Sequence, residues 1–152
     1  MTMLPIKKIV CPTDFSDPAH EGLKAATELA EHFQAELMVV NVVSPVPVVS
    51  GAAPIGFHLP TVMEEMQTAA EKSMTDLISK RVPKAVQTRS IVIQGKPADE
   101  IVKLADEKDA DLIVIATHGE SGWQRFLFGS VTEKVVRMTS CPVLTVHQPQ
   151  DK

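Results

Sequence analysis

With 152 residues, 44% of them hydrophobic, 22% charged and only 4% aromatic, the chain has the composition of a single globular domain spanning 1–152 with an aliphatic core. A domain of this length buries about two thirds of the surface its unfolded chain exposes, so no disulfide or metal staple is required. The formal charge of −4 and the lack of any Lys/Arg run exclude a nucleic-acid partner, and the lack of a signal-like or ~20-residue apolar stretch excludes a membrane partner and makes the cytoplasm the expected compartment.

Short apolar runs alternate with stretches of helical period, the pattern of an α/β domain with a parallel sheet. Ile6 to Val10 reads as the first strand, ended by Pro12, Thr13 and Asp14. Ser16 can cap a helix beginning near Asp17, whose apolar stripe is Ala19, Leu23, Ala26, Ala30 and Phe33. Leu37 to Val43 is almost wholly apolar, as a strand covered on both faces should be, with Asn41 as its one polar interruption. From Ser44 to Pro60 the prolines and glycines forbid regular structure, so a long connection is expected. A second helix follows with a buried stripe of Val62, Met66, Ala69, Ser73 and Leu77, its methionines read as core filling.

Ser90 to Gln94 forms the third strand, Gly95 turns the chain, and Pro97 opens a helix with Ile101, Leu104 and Ala105 inward. Asp111 to Thr117 is the expected central strand. A glycine-punctuated loop runs from there to Gly129, a helix carries Val131, Val135 and Met138, and Val143 to His147 is the last strand. Right-handed crossovers and a doubly wound, Rossmann-like layout restrict the order of five strands to a few arrangements, of which the expected one is a five-stranded parallel sheet in the order 3-2-1-4-5 with helices on both faces. The crossover direction then reverses between the first and fourth strands, so a ligand crevice is expected beyond their carboxyl ends. Cys11 and Cys141 fall at opposite edges of such a sheet and are expected as separate reduced thiols.

The residues with most chemical content are Ala116-Thr117-His118-Gly119 and, after nine residues, Gly129-Ser130-Val131. A glycine just after a strand and another at a helix start let backbone amides approach phosphate oxygens, and the helix starting near Ser130 aims its dipole at the crevice. Ser130 and Glu133 also match an S-x-x-E capping box, Asp14 is equally suited to organising its turn, and His118 to a solvent-facing position. Arg125 and Lys134 could offer charge to a triphosphate, and Trp123, Phe126, Leu127 and Phe128 are read as packing against the sheet edge or a partner subunit. The histidines show no ligand spacing, so neither a metal site nor a catalytic residue is assigned.

The glycine segment resembles the nucleotide signature of ATP-binding universal stress proteins: a glycine, two residues, a second glycine, nine residues, then Gly-Ser or Gly-Thr. Gly119, Gly129 and Ser130 match it in type and spacing, and Ala116 stands in place of its first glycine. Pro12-Thr13-Asp14-Phe15-Ser16 and Gly95-Lys96-Pro97 are similar to further family motifs, so the likeness covers essentially the whole chain. The resemblance implies a nucleotide site of Pro12, Thr13, Asp14, Val42, Ala116, Thr117, His118, Gly119, Gly129, Ser130 and Val131. It implies ATP as the ligand, AMP or ADP as alternatives, and Mg²⁺ shared through the phosphates. With the edge-strand argument, it also implies a homodimer through residues 143–147, acting as a stress-response regulator on protein partners the sequence does not name.

Two other functions compete: a slow ATP-hydrolysing enzyme, and a structural dimer without nucleotide. Adenylating α/β enzymes carry His-x-Gly-His and Ser-Gly-Gly loops that are missing here, and a Walker A lysine motif is absent. A phospho-receiver would place Asp after the third strand and Lys after the fifth, where Gln94 and His147 stand.

Overall fold

The computed structural model describes residues 2–49, 51–118 and 128–149. Its elements are β1 (Lys8–Pro12), α1 (Asp17–Phe33), β2 (Glu36–Val43), α2 (Leu59–Arg81), β3 (Thr88–Gln94), α3 (Pro97–Glu107), β4 (Leu112–Ala116), α4 (Ser130–Met138) and β5 (Val143–Val146). The strands form one sheet in the order β3-β2-β1-β4-β5, every neighbouring pair parallel. This is the doubly wound layout expected from the alternation of strands and helices.

Side chains alternate between the two faces of each strand, and the two faces bury two separate cores. Leu23, Ala26 and Ala30 of α1 with Met74 and Leu77 of α2 cover Ile9, Cys11, Leu37, Val39, Leu112 and Val114. On the opposite face Ala98, Ile101, Leu104 and Ala105 of α3 with Val135 of α4 cover Val10, Met38, Val40, Ile113 and Ile115. Burial on both sides explains why β2 and β4 read as unbroken apolar runs. Helix α1 starts where expected, Ser16 Oγ accepting from Ala19 N at 3.3 Å, and stops at Gln34, whose left-handed φ of 54° turns the chain toward β2.

Four local expectations are corrected. Strand β1 begins two residues later than the apolar run and includes Pro12, which pairs with Val40. Proline is tolerated there because successive residues face opposite neighbours: Thr13 N donates to Val40 O of β2, so the Pro12 nitrogen faces β4, from which β1 has already separated. The middle strand is β1, with β4 beside it. The stripe of α2 is rotated: Ala70, Met74 and Leu77 are buried, whereas Met66, Ala69 and Ser73 are exposed. Sequence reasoning avoided Gln67 as a core position, yet its Nε2 donates to Val92 O at 3.2 Å and so faces β3. Finally, Met138 is exposed, and Thr132 joins Val135 on the buried side of α4.

The sheet divides where the crossover direction reverses. β1 follows β2 as far as Pro12↔Val40 but pairs with β4 only at Ile9↔Leu112 and Val10↔Ile113. Beyond those residues the two strands diverge, and the gap between their carboxyl ends opens into a crevice.

Candidate functional site

A cavity of about 420 Å³ occupies this gap. That volume lies within the range of small-molecule sites. Of the residues singled out in the sequence, Pro12, Thr13, Asp14, Val42, Ala116, His118, Gly129, Ser130 and Val131 line it. Residues as far apart in the chain as Pro12 and Val131 are thus gathered by the ends of three strands and the start of one helix. Gly119, Arg125, Trp123, Phe126 and Leu127 lie outside the described residues, and Phe128 is exposed.

Thr117 is a structural member rather than a lining one. It is 2% exposed; its N donates to Val146 O, its O accepts from Gly129 N at 2.5 Å, and its Oγ1 meets His118 Nδ1 at 3.1 Å. The bond to Gly129 draws the start of α4 onto the end of β4. Thr132 Oγ1 adds a second tie by donating to Ala116 O at 2.7 Å.

The start of α4 differs from a capping box. Gly129, not Ser130, is the N-cap, with φ −68° and ψ 165°, and as a glycine it brings no side chain to cap the helix. Ser130 therefore sits inside the first turn, and the Glu133 carboxylate reaches Arg137 at 3.6 Å instead of turning back. The first amides of a helix have no intrahelical partner, and here the helix start lines the cavity. Helix α1 contrasts with it, since Ser16 serves its amides. Lys134 is not a lining residue: its Nζ pairs with Asp99 of α3 at 3.0 Å, joining the two helices.

Asp14 combines the two roles considered for it. Its Oδ1 accepts from Ser16 N at 3.0 Å and from Ser16 Oγ, organising the turn, while the residue lines the cavity. Phe15, at φ 66°, and a bond from its N to Thr13 Oγ1 at 3.1 Å complete that turn.

Ala116 belongs to the strand face of Leu112 and Val114, the side covered by α1. A Cβ placed on Gly22 of α1 would lie 3.3 Å from Ala116 N and 3.7 Å from Ala116 Cβ. The extra methyl at position 116 thus points at Gly22, and the missing side chain of Gly22 makes room for α1 to pack there.

Apolar residues outside the expected set, Val40, Ile101 and Ile115, also line the cavity. Sequence reasoning missed these because they look like ordinary core residues. It also missed three polar lining residues, Asn41, Ser44 and Thr132, of which Asn41 and Thr132 bond to strand-end carbonyls. Asn41 carried a signal, as the polar interruption of an apolar strand. Cysteine chemistry has no place at the site: Cys11 is fully buried under the α1 face, which pushes its thiol up to about 12.

A sequence profile of the universal stress protein family matches residues 5–147. The chain belongs to the universal stress protein family. It is 37% identical over 144 residues to universal stress protein MJ0531 of Methanocaldococcus jannaschii, a match covering 95% of this chain and 84% of that protein. The solved structure of MJ0577, a universal stress protein of the same organism, superposes with a TM-score of 0.82 at 26% identity, covering 96% of this chain and 99% of that one. A universal stress protein solved in complex with cAMP superposes with a TM-score of 0.64 at 28% identity, covering 93% and 97%. Universal stress proteins of this architecture therefore include one that holds an adenine nucleotide.

Proposed function

We propose that the crevice binds an adenine nucleotide, ATP before AMP or ADP, and that the protein is a nucleotide-binding regulator within one domain of 1–152. The observation that carries this reading is what the two sides of the cavity offer. On the β4 side stands the start of α4, tied to β4 by Gly129 N and Thr132 Oγ1; on the β1–β2 side stand Pro12, Val40 and Val42, with Thr13, Asp14 and Asn41 beside them. An anion is favoured at the helix start and an apolar base at the far wall. The cAMP complex of a relative supports the same ligand class. Mg²⁺ would bind through the phosphates, with Asp14 the nearest carboxylate in the lining.

Binding rather than turnover is the proposed role. Asp14 and His118 are the titratable groups among the described lining residues; Asp14 Oδ1 serves Ser16 and His118 Nδ1 serves Thr117. Catalysis by positioning alone would allow only slow hydrolysis. The test is calorimetry with ATP, AMP and adenosine, joined to mass analysis of any nucleotide released by acid from freshly purified protein. Failure of all three to bind, with none released, would reject the reading.

We further propose a cytoplasmic homodimer paired through β5. That strand is at the sheet edge and exposes Leu144, and α4, which leads into it, exposes Val136 and Met138. Symmetric pairing would cover an edge that otherwise invites aggregation. Sedimentation is expected to give a dimer at micromolar concentration, and a monomer on Leu144→Lys; a monomeric parent chain would refute it.

A further inference from the structure

Beyond Val10 and Ile113 the ladder between β1 and β4 ends, and two carbonyls border the gap, Thr13 O just past β1 on the β2 side and Ala116 O at the end of β4. Each is held by one buried side chain. Asn41 of β2 donates from Nδ2 to Thr13 O at 2.8 Å, and Thr132 of α4 donates from Oγ1 to Ala116 O at 2.7 Å. Asn41 is 9% exposed and Thr132 4%, and both line the cavity. A buried amide or hydroxyl is unfavourable unless bonded, and leucine or valine would fill the same space without that penalty. Their polarity therefore reports a geometric task.

The two tasks fall at opposite ends of the crevice. Thr13 N already donates to Val40 O, so Asn41 completes the attachment of both Thr13 backbone groups to β2. The turn that carries Asp14 starts from this anchored residue, since Thr13 Oγ1 accepts from Phe15 N and Asp14 Oδ1 from Ser16 N. At the other end, Thr132 is the third residue of α4, and its bond adds to that between Gly129 N and Thr117 O. Two ties, one at the N-cap and one a turn further on, fix the direction in which the helix start points.

We propose that Asn41 and Thr132 are positioning residues of the nucleotide site, Asn41 setting the nucleoside end through the Thr13–Asp14 turn and Thr132 the phosphate end through the first turn of α4. The proposal rests on the reading of the crevice as a nucleotide site. For Thr132 the readout is the ratio of ATP to adenosine affinity, because only ATP uses both ends and a merely structural role would leave that ratio unchanged; for Asn41 it is a loss of affinity shared by both ligands in a variant shown to be folded.

The experiment titrates the full chain and its variants with ATP and with adenosine by calorimetry, after circular dichroism and thermal melting show that each is folded at the working temperature. Thr132→Val keeps the shape and removes the donor; it is expected to weaken ATP about five- to tenfold, the value of one hydrogen bond, and adenosine less than about twofold. Thr132→Ser keeps the hydroxyl and is expected to restore ATP affinity. Asn41→Leu is expected to weaken both ligands by the same factor, with Asn41→Ala in its place if it does not fold. Unchanged ATP affinity in Thr132→Val, equal loss of both ligands there, no recovery in Thr132→Ser, or a changed ratio in the Asn41 variant would overturn the proposal. A parent chain that binds neither ligand would instead overturn the nucleotide reading, and the proposal with it.

Discussion

Replacing Gly129 by valine tests the phosphate end of the crevice, in a variant first shown by circular dichroism to be folded. At φ −68° and ψ 165° the residue occupies extended backbone open to any side chain, so the substitution introduces no dihedral strain. Its own N–H is engaged by Thr117 O, which leaves the amides of Ser130 and Val131, within the first turn, as the donors a phosphate would meet. Two added methyl groups at the N-cap crowd that approach. If two charge-assisted bonds of about 1.5–3 kcal/mol each are lost, ATP binding weakens by about 3–6 kcal/mol, roughly a hundred- to ten-thousandfold. Adenosine, which carries no phosphate to meet the start of α4, is expected to bind within about twofold of the parent. Ser130→Ala is the control: because Ser130 is not the N-cap, its melting temperature should match the parent, where a capping-box serine would cost about 1 kcal/mol. Calorimetry with both ligands decides it. ATP bound by Gly129→Val as by the parent would place the phosphates elsewhere and refute the reasoning.

Ala116→Gly is expected to leave ATP affinity within about twofold, since the methyl faces Gly22, and to lower stability by about 1 kcal/mol in denaturant unfolding, from the lost methyl and added chain entropy. Asp14→Ala is expected to reduce ATP affinity about tenfold and also to lower the melting temperature by a few degrees, because Asp14 Oδ1 serves Ser16, the cap of α1. Unchanged affinity with a lowered melting temperature would leave Asp14 only its turn. Burial raises the Cys11 thiol from 9.0 to about 12. Below pH 9 both folded and unfolded chains keep the proton, so stability does not depend on it; from pH 9 toward 12 the unfolded thiol ionises first and stability falls. Cys141, raised to about 11 by burial and then by the charges of Asp111 and Asp106, adds to the same slope. Unfolding curves across this range should flatten in Cys11→Ala, and an equal slope in that variant would show that the thiol is not responsible.

The alternation of apolar runs and helical stripes carried the element order, and from it the strand order and the position of the crevice. Those features follow from burial periodicity and crossover handedness, both local to the chain. The turn residues Pro12, Thr13 and Asp14 and the Gly129-Ser130 pair were legible for the same reason, because glycine, proline and short polar residues mark backbone geometry wherever they stand. What required the tertiary structure was direction and partnership. The α2 stripe read from periodicity through Met66, Ala69 and Ser73 is rotated in the fold, where packing on β3, with Gln67 bonded to Val92 O, buries Ala70 and Met74 instead. The capping box at Ser130 and Glu133 was a correct spacing displaced by one position, since Gly129 took the N-cap once its N–H was drawn to Thr117 O. Whether the Ala116 methyl met ligand or helix depended on strand parity and on Gly22, 94 positions away in the chain. Asn41 and Thr132 looked like minor breaks in apolar patterns until the sheet brought Thr13 O and Ala116 O within hydrogen-bonding reach. Periodicity records which residues are buried, but a hydrogen bond between distant segments has no sequence period, so the partners that shape this crevice appear only when the chain is folded.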